Sequence, residues 1–310
     1  MKGRSVTARI VVLGSFNADL VSYVPRLPQR GETILGDRFL TGPGGKGSNQ
    51  AVAAARLNAH VSLIARVGQD SLSEIGLNLW KAEEIDTRYV SRDPDTATGV
   101  ASIFVDRDAH NVIVVALGAN ALLTPAHVDE AEQMIAEADI LLTQLESPLE
   151  TVAYVLKVAR RHGVRTILNP APAQLLSPDL LQYVDVLTPN EHELLLTAGA
   201  STTEAATEAL LAAGVDTVIV TFGKRGAGYQ TKTGAGGLIP AFEVEAVDTV
   251  GAGDAFCAGL AVGLAEGKPI EEAIRFANAA AAVSVTRPGA AASMGRRSEV
   301  DLLLKQSQEG

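Results

Sequence analysis

A glycine-rich turn late in the chain has the composition expected where a backbone meets phosphate. Gly251, Ala252, Gly253 and Asp254 follow a strand-like stretch at 242–248 and open a helix rich in alanine and glycine. Unpaired amides at a helix N-terminus attract anions, and glycine lets phosphate approach the backbone closely. A carboxylate does not bind phosphate, so Asp254 is predicted to take the proton of a hydroxyl that attacks phosphorus. A helix cap made by the aspartate is the structural alternative.

A second glycine-rich segment contains a lysine and two amides and leads into an alanine-rich helix. Its residues are Gly42, Pro43, Gly44, Gly45, Lys46, Gly47, Ser48, Asn49 and Gln50. The segment matches G-x-G-x-x-G, but it follows an irregular insert and not the first strand, which does not favour a dinucleotide site. It is not a Walker A loop, because Gly47 stands where that loop has Ser or Thr. Lys46 and Asn49 carry N–H donors suited to sugar hydroxyls, and a flexible turn is the alternative.

Further polar residues follow the predicted strands, where open α/β sheets bind their ligands. Asn17 and Asp19 come after the first strand and could hold vicinal hydroxyls, or form an Asx turn. Glu146 and Glu193 each follow a later strand, and acids near phosphates commonly organise Mg²⁺. Charge at a helix start is the alternative for Glu193. A glycine turn suited to a nucleotide runs through Thr221, Phe222, Gly223, Lys224, Arg225 and Gly226.

The elements that position these residues alternate between strand and helix, which is typical of a parallel sheet covered on both faces. Strands are predicted at 140–145, 166–169, 184–188 and 217–222, and helices at 253–266 and 270–285 close the chain. Two β-rich inserts, 17–43 and 97–119, do not fit this sheet and are predicted to form a small sheet over its C-terminal edge. The chain is therefore predicted to be one catalytic domain over 1–310, a three-layer α/β/α sandwich with a small β-sheet lid.

The composition sets limits on partners and compartment. A net charge of −10 disfavours nucleic acid, whose binding depends on cationic residues. Cys257 is the single cysteine, so an intrachain disulfide is excluded. No apolar run is long enough to span a bilayer, and 1–8 lacks the apolar core of a signal peptide. No membrane partner and a cytoplasmic location are expected.

Two of these segments together resemble the signatures of the PfkB-type carbohydrate kinases. They are 44–51 (GGKGSNQA) and 248–256 (DTVGAGDAF), and the resemblance extends over about 10–300. It implies the three-layer fold with a lid that often forms a homodimer interface. It also implies ATP-dependent phosphorylation of a sugar, with the terminal O5 hydroxyl of D-ribose as the leading acceptor and ribose 5-phosphate and ADP as products.

The resemblance also implies a role for each matching position. Asp254 matches the catalytic base, and Gly251, Ala252 and Gly253 match an anion hole for the transferred phosphoryl group. Sugar contacts match Asn17, Asp19, Gly45, Lys46, Gly47, Asn49, Glu146 and Asp254. Nucleotide contacts match Asn190, Thr221, Gly223, Lys224, Gly226, Gly253 and Asn278, with Glu193 in the Mg²⁺–phosphate region. A monovalent cation site, usually for K⁺, matches Asp248, Val250, Ser284, Arg287, Gly289 and Ser293.

Three alternatives remain open at this point. The first is a kinase of the same family for 2-deoxyribose, fructose or a nucleoside, although the 4% aromatic content does not favour a nucleoside base. The second is a dinucleotide-dependent oxidoreductase built on the glycines of 42–47. The third is a catalytically inactive sugar-binding regulator, which an intact Asp254 argues against.

Overall fold

The computed structural model of the chain describes residues 7–108 and 110–309. The first six residues, Ala109 in the loop of the second β-rich insert, and Gly310 lie outside the described residues. The strands are β1 (Arg9–Leu13), β2 (Asn17–Tyr23), β3 (Arg38–Gly44), β4 (His60–Gly68), β5 (Asp86–Asp93), β6 (Gly99–Val105), β7 (Asn111–Ala116), β8 (Ile140–Thr143), β9 (Arg165–Leu168), β10 (Val186–Leu187), β11 (Thr217–Thr221), β12 (Ala227–Thr231) and β13 (Gly236–Ile239). The helices are α1 (Lys46–Arg56), α2 (Ser73–Ala82), α3 (Pro125–Glu130), α4 (Glu132–Ala136), α5 (Leu149–Arg161), α6 (Pro178–Leu181), α7 (Glu191–Ala198), α8 (Thr203–Ala212), α9 (Ala252–Ala265), α10 (Ile270–Ser284) and α11 (Arg297–Glu309).

A large sheet runs through the centre of the described chain in the order β13-β12-β11-β10-β9-β8-β1-β4-β5. Its strands from β11 to β5 are parallel, and β12 and β13 add an antiparallel edge. The chain moves from β1 to β4 on one side and later returns to β8 on the other. The strand order therefore reverses beside β1, and such a switch point opens a crevice at the carboxyl ends of the strands.

Helices cover both faces of this sheet, which confirms the predicted three-layer sandwich. All four residues of β8 are buried, as a strand enclosed on both sides requires. Helix α9 is buried along most of its length and packs on α1, α10, β1 and β8. The α9–α10 contact depends on small residues, because an added Cβ at Gly259 would lie 2.9 Å from Ala277 Cα.

A small second sheet has the order β3-β2-β6-β7. Its central pair β2–β6 is parallel and its outer pairs are antiparallel. The four strands come from the two β-rich inserts, and β3 extends one residue further, to Gly44. All six residues of β7 are exposed, including Ile113 and Val114. The division of 1–310 into one catalytic domain with a lid formed by 17–43 and 97–119 stays a prediction.

The structure differs from the sequence-based expectation in three elements. The stretch 242–248 forms no strand, because β13 ends at Ile239 and the chain then runs without sheet pairing into α9. A third closing helix, α11, follows the two predicted ones, and β5 was not predicted at all. Among the described residues, no helix has both the length and the apolar character that crossing a bilayer demands.

Candidate active site

The carboxyl ends of β1 and β8 meet at the switch point and carry the first group of site residues. Ser15 follows β1, and its hydroxyl donates to Oε2 of Glu146, which follows β8. The same Oε2 accepts the backbone N–H of Lys46 at 2.9 Å. Glu146 therefore sits at the N-terminus of α1, where the helix dipole favours negative charge. Its other oxygen, Oε1, is left for a ligand.

Glycines let α1 begin directly against the loop after β1. An added Cβ at Gly47 would lie 2.5 Å from the Ser15 nitrogen, and one at Gly14 would lie 2.7 Å from Gly47 Cα. Gly45, the N-cap of α1, has a φ of 86°, a left-handed conformation that favours glycine. This close approach places the side chains of Lys46 and Asn49 inside the crevice.

Asp254 lies in the first turn of α9 and is only 5% exposed. Its Oδ2 accepts the side-chain amide of Asn49 at 3.0 Å, and its Oδ1 accepts that of Gln50 at 3.0 Å. The N-cap of α9 is Gly251, with a left-handed φ of 78°, and no side chain caps this helix. The helix-cap alternative for Asp254 is therefore wrong, because the carboxylate joins α9 to α1.

Unpaired amides precede Asp254 at the start of the same helix. Within the described part of the chain, the N–H groups of Gly251 and Gly253 have no hydrogen-bond partner, as expected in the first turn of a helix. The N–H of Ala252 differs, because it donates to the Thr249 carbonyl at 3.2 Å. Two of the three predicted anion-hole amides are thus free in this conformation, and the third is held in a turn.

The predicted sugar contacts at β2 are fixed by a residue that sequence reasoning missed. Asn120 donates to Oδ1 of Asn17 at 3.0 Å, and it also hydrogen-bonds the backbone N–H and carbonyl of Phe16. The Asp19 carboxyl packs against Gly44, where no side chain would fit. Burial and the neighbouring Glu146 raise the pKa of Asp19 to about 7.

Lys46 contributes a positively charged side chain to this side of the crevice. Burial alone would lower the pKa of its ammonium group, but the carboxylates of Asp254, Glu146 and Glu193 more than offset this, and the pKa is raised. Burial has the opposite effect on the carboxyl group of Glu193, whose pKa it raises. One lysine thus lies within electrostatic reach of three carboxylates from three different elements.

A cavity of about 470 Å³ adjoins the start of α9, where Ala252, Gly253 and Phe256 line it and no residue of α1 does. Apolar groups on its wall include Phe242, Val244, Ala281, Ala282 and Val285, which suit a flat ring such as a nucleobase. The predicted nucleotide contacts on its wall are Thr221, Gly223, Lys224, Gly226, Gly253 and Asn278.

Two predicted nucleotide residues do not line this cavity. Asn190 is the N-cap of α7, where its side chain and that of Glu193 bond each other's backbone N–H in a capping box. Asn190 pairs with Thr221 in an isolated bridge and so lies beside the cavity wall. Asn278, which does line the cavity, donates its amide to the carbonyls of Ile239 and Pro240.

Hydrogen bonds join three of the six predicted cation residues near the start of α9. The Asp248 carboxylate accepts the N–H groups of Val250 at 3.0 Å and Gly289 at 2.9 Å, which ties the two segments together. The hydroxyls of Ser284 and Ser293 are buried and donate to nearby carbonyls, so their oxygens keep free lone pairs. Arg287 does not point its side chain at this loop, because it pairs with Glu299.

Arg56, at the last turn of α1, braces the same region. Its guanidinium donates to the carbonyls of Ala291 and Met294, at 2.9 Å each, and forms an ion pair with Glu83. An added Cβ at Gly251 would lie 3.0 Å from Met294 Cε, so the braced loop packs on the N-cap of α9. Neither Arg56 nor Gln50 was assigned a role from the sequence, although Gln50 belongs to the glycine-rich segment.

Free helix N-terminal amides, a buried carboxylate beside them and an adjoining apolar cavity define a phosphotransferase that acts on an alcohol. The chain belongs to the pfkB family of carbohydrate kinases, whose family model matches residues 7–296. The predicted family and the predicted sugar-kinase class are thereby confirmed. The oxidoreductase alternative is wrong, because Gly42 and Gly44 lie in the small sheet and not in a strand-to-helix turn of the large one.

Relatives are similar over nearly the whole chain. The ribokinase of Bacillus subtilis is 45% identical over 295 residues, a match that covers 95% of this chain and 99% of that protein. The deoxyribokinase of Salmonella typhi is 38% identical over 290 residues, covering 92% and 94%. A structure of Arabidopsis thaliana ribokinase complexed with ribose and ATP is 32% identical, has a TM-score of 0.88, and covers 97% of this chain and 99% of its own.

Proposed function

We propose that this kinase transfers the γ-phosphate of ATP to the terminal O5 hydroxyl of D-ribose, giving ribose 5-phosphate and ADP. One observation carries the proposal: the first turn of α9 joins its Asp254 carboxylate to α1, has free amides at Gly251 and Gly253, and contributes Gly253 to the wall of the apolar cavity. A sugar on the first side and a nucleotide on the second would bring a hydroxyl and a phosphate together at Asp254. The relatives named ribokinase support ribose as the sugar.

The chemistry requires positioning and charge stabilisation. Asp254 takes the proton of the ribose O5 hydroxyl as that oxygen attacks the γ-phosphorus in line. The bond between the γ-phosphorus and the β–γ bridging oxygen breaks, and ADP leaves with its electron pair. The free amides of Gly251 and Gly253 donate to the phosphoryl oxygens, where charge develops. The small sheet would cover the sugar and exclude water, which otherwise competes as acceptor.

We assign Mg²⁺ and K⁺ to the two groups of residues whose chemistry fits them. Mg²⁺ is usually held by one or two carboxylates together with substrate phosphates, and Glu193 supplies a carboxylate on the phosphate side. When bound, Mg²⁺ would neutralise charge on the phosphates. K⁺ fits the loop tied by Asp248, where the hydroxyl oxygens of Ser284 and Ser293 and nearby carbonyls are available.

2-Deoxyribose is the second candidate acceptor, since one relative is named a deoxyribokinase. The two sugars differ by the 2-hydroxyl. Asn17 and Asp19 are both held in place at the end of the crevice, by Asn120 and by the close approach of Gly44 respectively. A buried polar group that loses its hydroxyl partner costs binding energy, so these fixed side chains favour ribose.

Two further properties belong to the proposal. The exposed apolar strands of the small sheet, with Phe39, Ile113 and Val114, suit a homodimer through that sheet. ATP as the donor and a single buried thiol at Cys257 fit a reducing, ATP-supplied compartment, so we place the protein in the cytoplasm.

A coupled ADP-release screen tests the function. The purified protein is assayed with D-ribose, 2-deoxyribose, fructose and nucleosides, each in K⁺ and in Na⁺ buffer. We expect ribose to give the highest kcat/KM and K⁺ to raise it. A higher kcat/KM for 2-deoxyribose would make 2-deoxyribose the acceptor in place of ribose. If none of the tested sugars supports ATP turnover, the assignment to ribose is wrong. Sugar binding without turnover would favour the inactive regulator.

A further inference from the structure

We propose that Gln50 is a positioning residue for the catalytic carboxylate, and that Gln144 fixes the direction in which Gln50 donates. The proposal rests on the proposed role of Asp254 as the base. Gln50 lies on α1 and Asp254 on α9, so the contact between them joins two helices far apart in sequence.

Both ends of the Gln50 side chain are engaged. Nε2 donates to Oδ1 of Asp254 at 3.0 Å, and Oε1 accepts from Nε2 of Gln144. An ionised carboxylate only accepts hydrogen bonds, so the amide must turn its nitrogen toward Asp254. With Gln144 oriented as it is here, its Nε2 stabilises that direction, because a reversed Gln50 amide would set two N–H donors against each other. Oδ1 of Asn169, at 3.4 Å from Gln50 Nε2, favours the same direction.

Gln144 and Gln50 are in turn held by rigid elements. Gln144 follows β8, and an added Cβ at Gly14 would lie 3.3 Å from its side-chain Cδ, so the loop after β1 packs on it. Gln50 Nε2 also approaches Oδ1 of Asn169 at 3.4 Å, and the Asn169 amide donates to the Thr188 carbonyl at 3.0 Å. The amides thus connect the ends of three neighbouring strands to Asp254, which leaves the carboxylate little freedom to rotate.

The two amides that contact Asp254 have different duties. Asn49 keeps 5% of its surface exposed, and its Oδ1 has no hydrogen-bond partner among the described residues, so its hydrogen-bonding capacity is not used up by Asp254. Gln50 is 0% exposed and has no atom left for a substrate. Asn49 can therefore contact both the sugar and the base, whereas Gln50 serves only the base.

This arrangement suits a group that must take a proton. Neutral amides orient an ionised carboxylate through charge-assisted hydrogen bonds without adding a full positive charge beside it. Loss of orientation is costly, because a displacement of about 1 Å from the reactive geometry can slow a reaction by about a hundredfold. Removal of the Gln50 amide should therefore slow phosphoryl transfer and leave substrate affinity intact.

Gln50→Met tests this directly, since methionine has a similar length and no amide. Single-turnover phosphoryl transfer and steady-state kinetics are measured with D-ribose and ATP. We expect the transfer rate to fall by about 10- to 100-fold, with both KM values within about twofold of wild type. Gln133→Met on the exposed surface of α4 is the matched control and should match the wild type in every parameter.

A double-mutant cycle distinguishes positioning from packing. In an Asp254→Asn background, Gln50→Met should cause no further loss, because its effect passes through the missing carboxylate. An equal loss in both backgrounds, an unchanged transfer rate, or a KM effect alone would overturn the proposal. Wild-type turnover in Asp254→Asn alone would instead overturn the proposed function, and the role of Gln50 with it.

A second variant covers the case in which Gln50→Met does not fold. Gln144→Met leaves Gln50 in place but removes the donor that fixes its direction. We expect a smaller loss of transfer rate with unchanged KM values, and no effect in the Asp254→Asn background. Gln144→Met at the wild-type transfer rate would show that the direction of the Gln50 amide is not fixed in this way. A circular-dichroism melt of each variant establishes that it is folded.

Discussion

The two sides of the crevice, the one at α1 proposed for the sugar and the one at the apolar cavity proposed for the nucleotide, differ in the residues that form them. On the sugar side, charged and amide groups are already joined to one another, as Glu146 is to α1 and Asp254 is to Asn49 and Gln50. On the nucleotide side, the wall is formed mainly by small apolar residues of α10, the extended stretch before α9 and a glycine turn. Under the proposed function, recognition depends on directed hydrogen bonds on the first side and on shape on the second.

The difference follows from the ligands that each side is proposed to bind. A sugar presents hydroxyls in a fixed stereochemistry. A polar site discriminates between sugars because a buried polar group that finds no hydroxyl partner costs binding free energy. A nucleobase presents a flat surface, which an apolar slot holds without exact pairing. Substitutions on the sugar side should therefore have large and specific effects, and substitutions on the nucleotide side should be graded.

Asp254→Asn should produce the largest effect, because Asp254 is the proposed catalytic base and lies on the sugar side. Asparagine cannot take the proton, so kcat should fall by about 10²- to 10⁴-fold. Ribose binding should persist, since the side chain keeps its shape. ADP release gives kcat, and titration calorimetry gives the ribose affinity. Loss of ribose binding together with kcat would mean that Asp254 mainly holds the sugar.

The two lysines of the crevice allow the sides to be compared with one residue type. Lys46 is half-buried within electrostatic reach of three carboxylates, whereas Lys224 is exposed beside the cavity. Lys46→Met should weaken ribose binding by about 1.5–3 kcal/mol, as expected for a lost hydrogen bond to a charged group. Lys224→Met should raise the KM for ATP only slightly, by a factor equivalent to about 1 kcal/mol of binding free energy or less. Equal effects of the two substitutions would contradict the distinction between the sides.

The close contact of α1 with the β1 loop predicts a stability effect on the sugar side alone. A Cβ at Gly47 would lie 2.5 Å from a backbone nitrogen, which cannot move aside easily. Gly47→Ala should lower the free energy of unfolding by about 1–3 kcal/mol, even though alanine favours a helix by about 1 kcal/mol. Gly42→Ala is the control, since its Cβ would meet nothing within 4 Å. Urea denaturation measures both, and equal stabilities would contradict the close approach.

Asp19 gives the smallest effect, a pH dependence confined to the sugar side. Burial, with Glu146 nearby, raises its pKa to about 7 in the folded protein, from an ordinary value of 3.8. Between these values the folded state binds more protons than the unfolded state, so its stability falls as pH rises.

The free energy of unfolding should therefore drop more between pH 5 and pH 8 in the wild type than in Asp19→Asn. Urea denaturation at each pH measures the difference, and Asp95→Asn on an exposed turn controls for the loss of one charge. An identical pH dependence in the wild type and Asp19→Asn would show that folding does not raise the pKa of Asp19.

Much of the fold and the site could be predicted because the relevant signals are local. The alternation of strand and helix predicted the layers, and the two glycine-rich segments predicted the starts of α1 and α9. Strand β5 was missed because its sequence, DTRYVSRD, is polar and lies partly exposed at the edge of the sheet. The stretch 242–248 looked like a strand by composition, yet no neighbouring strand pairs with it.

The missed site residues depend on contacts that no local pattern carries. Gln50 acts on a carboxylate more than 200 residues away, and Asn120 fixes Asn17 across two inserts. The signature that contains Gln50 marks its position, but it does not reveal which atom the amide meets. The family resemblance implied a nucleotide contact for Asn190, and only the structure reveals that its side chain caps α7.

Helix α1 has a consequence for anyone who wishes to redesign this enzyme. Its first turn holds Glu146, its second approaches Asp254, and Arg56 at its far end grips the loop that packs on Gly251. A tilt of α1 would therefore move the proposed sugar contacts, the proposed base and the loop that packs on Gly251 at the same time. A change of acceptor specificity is therefore better sought through substitutions in strands β2 and β6, which leave helix α1 in place.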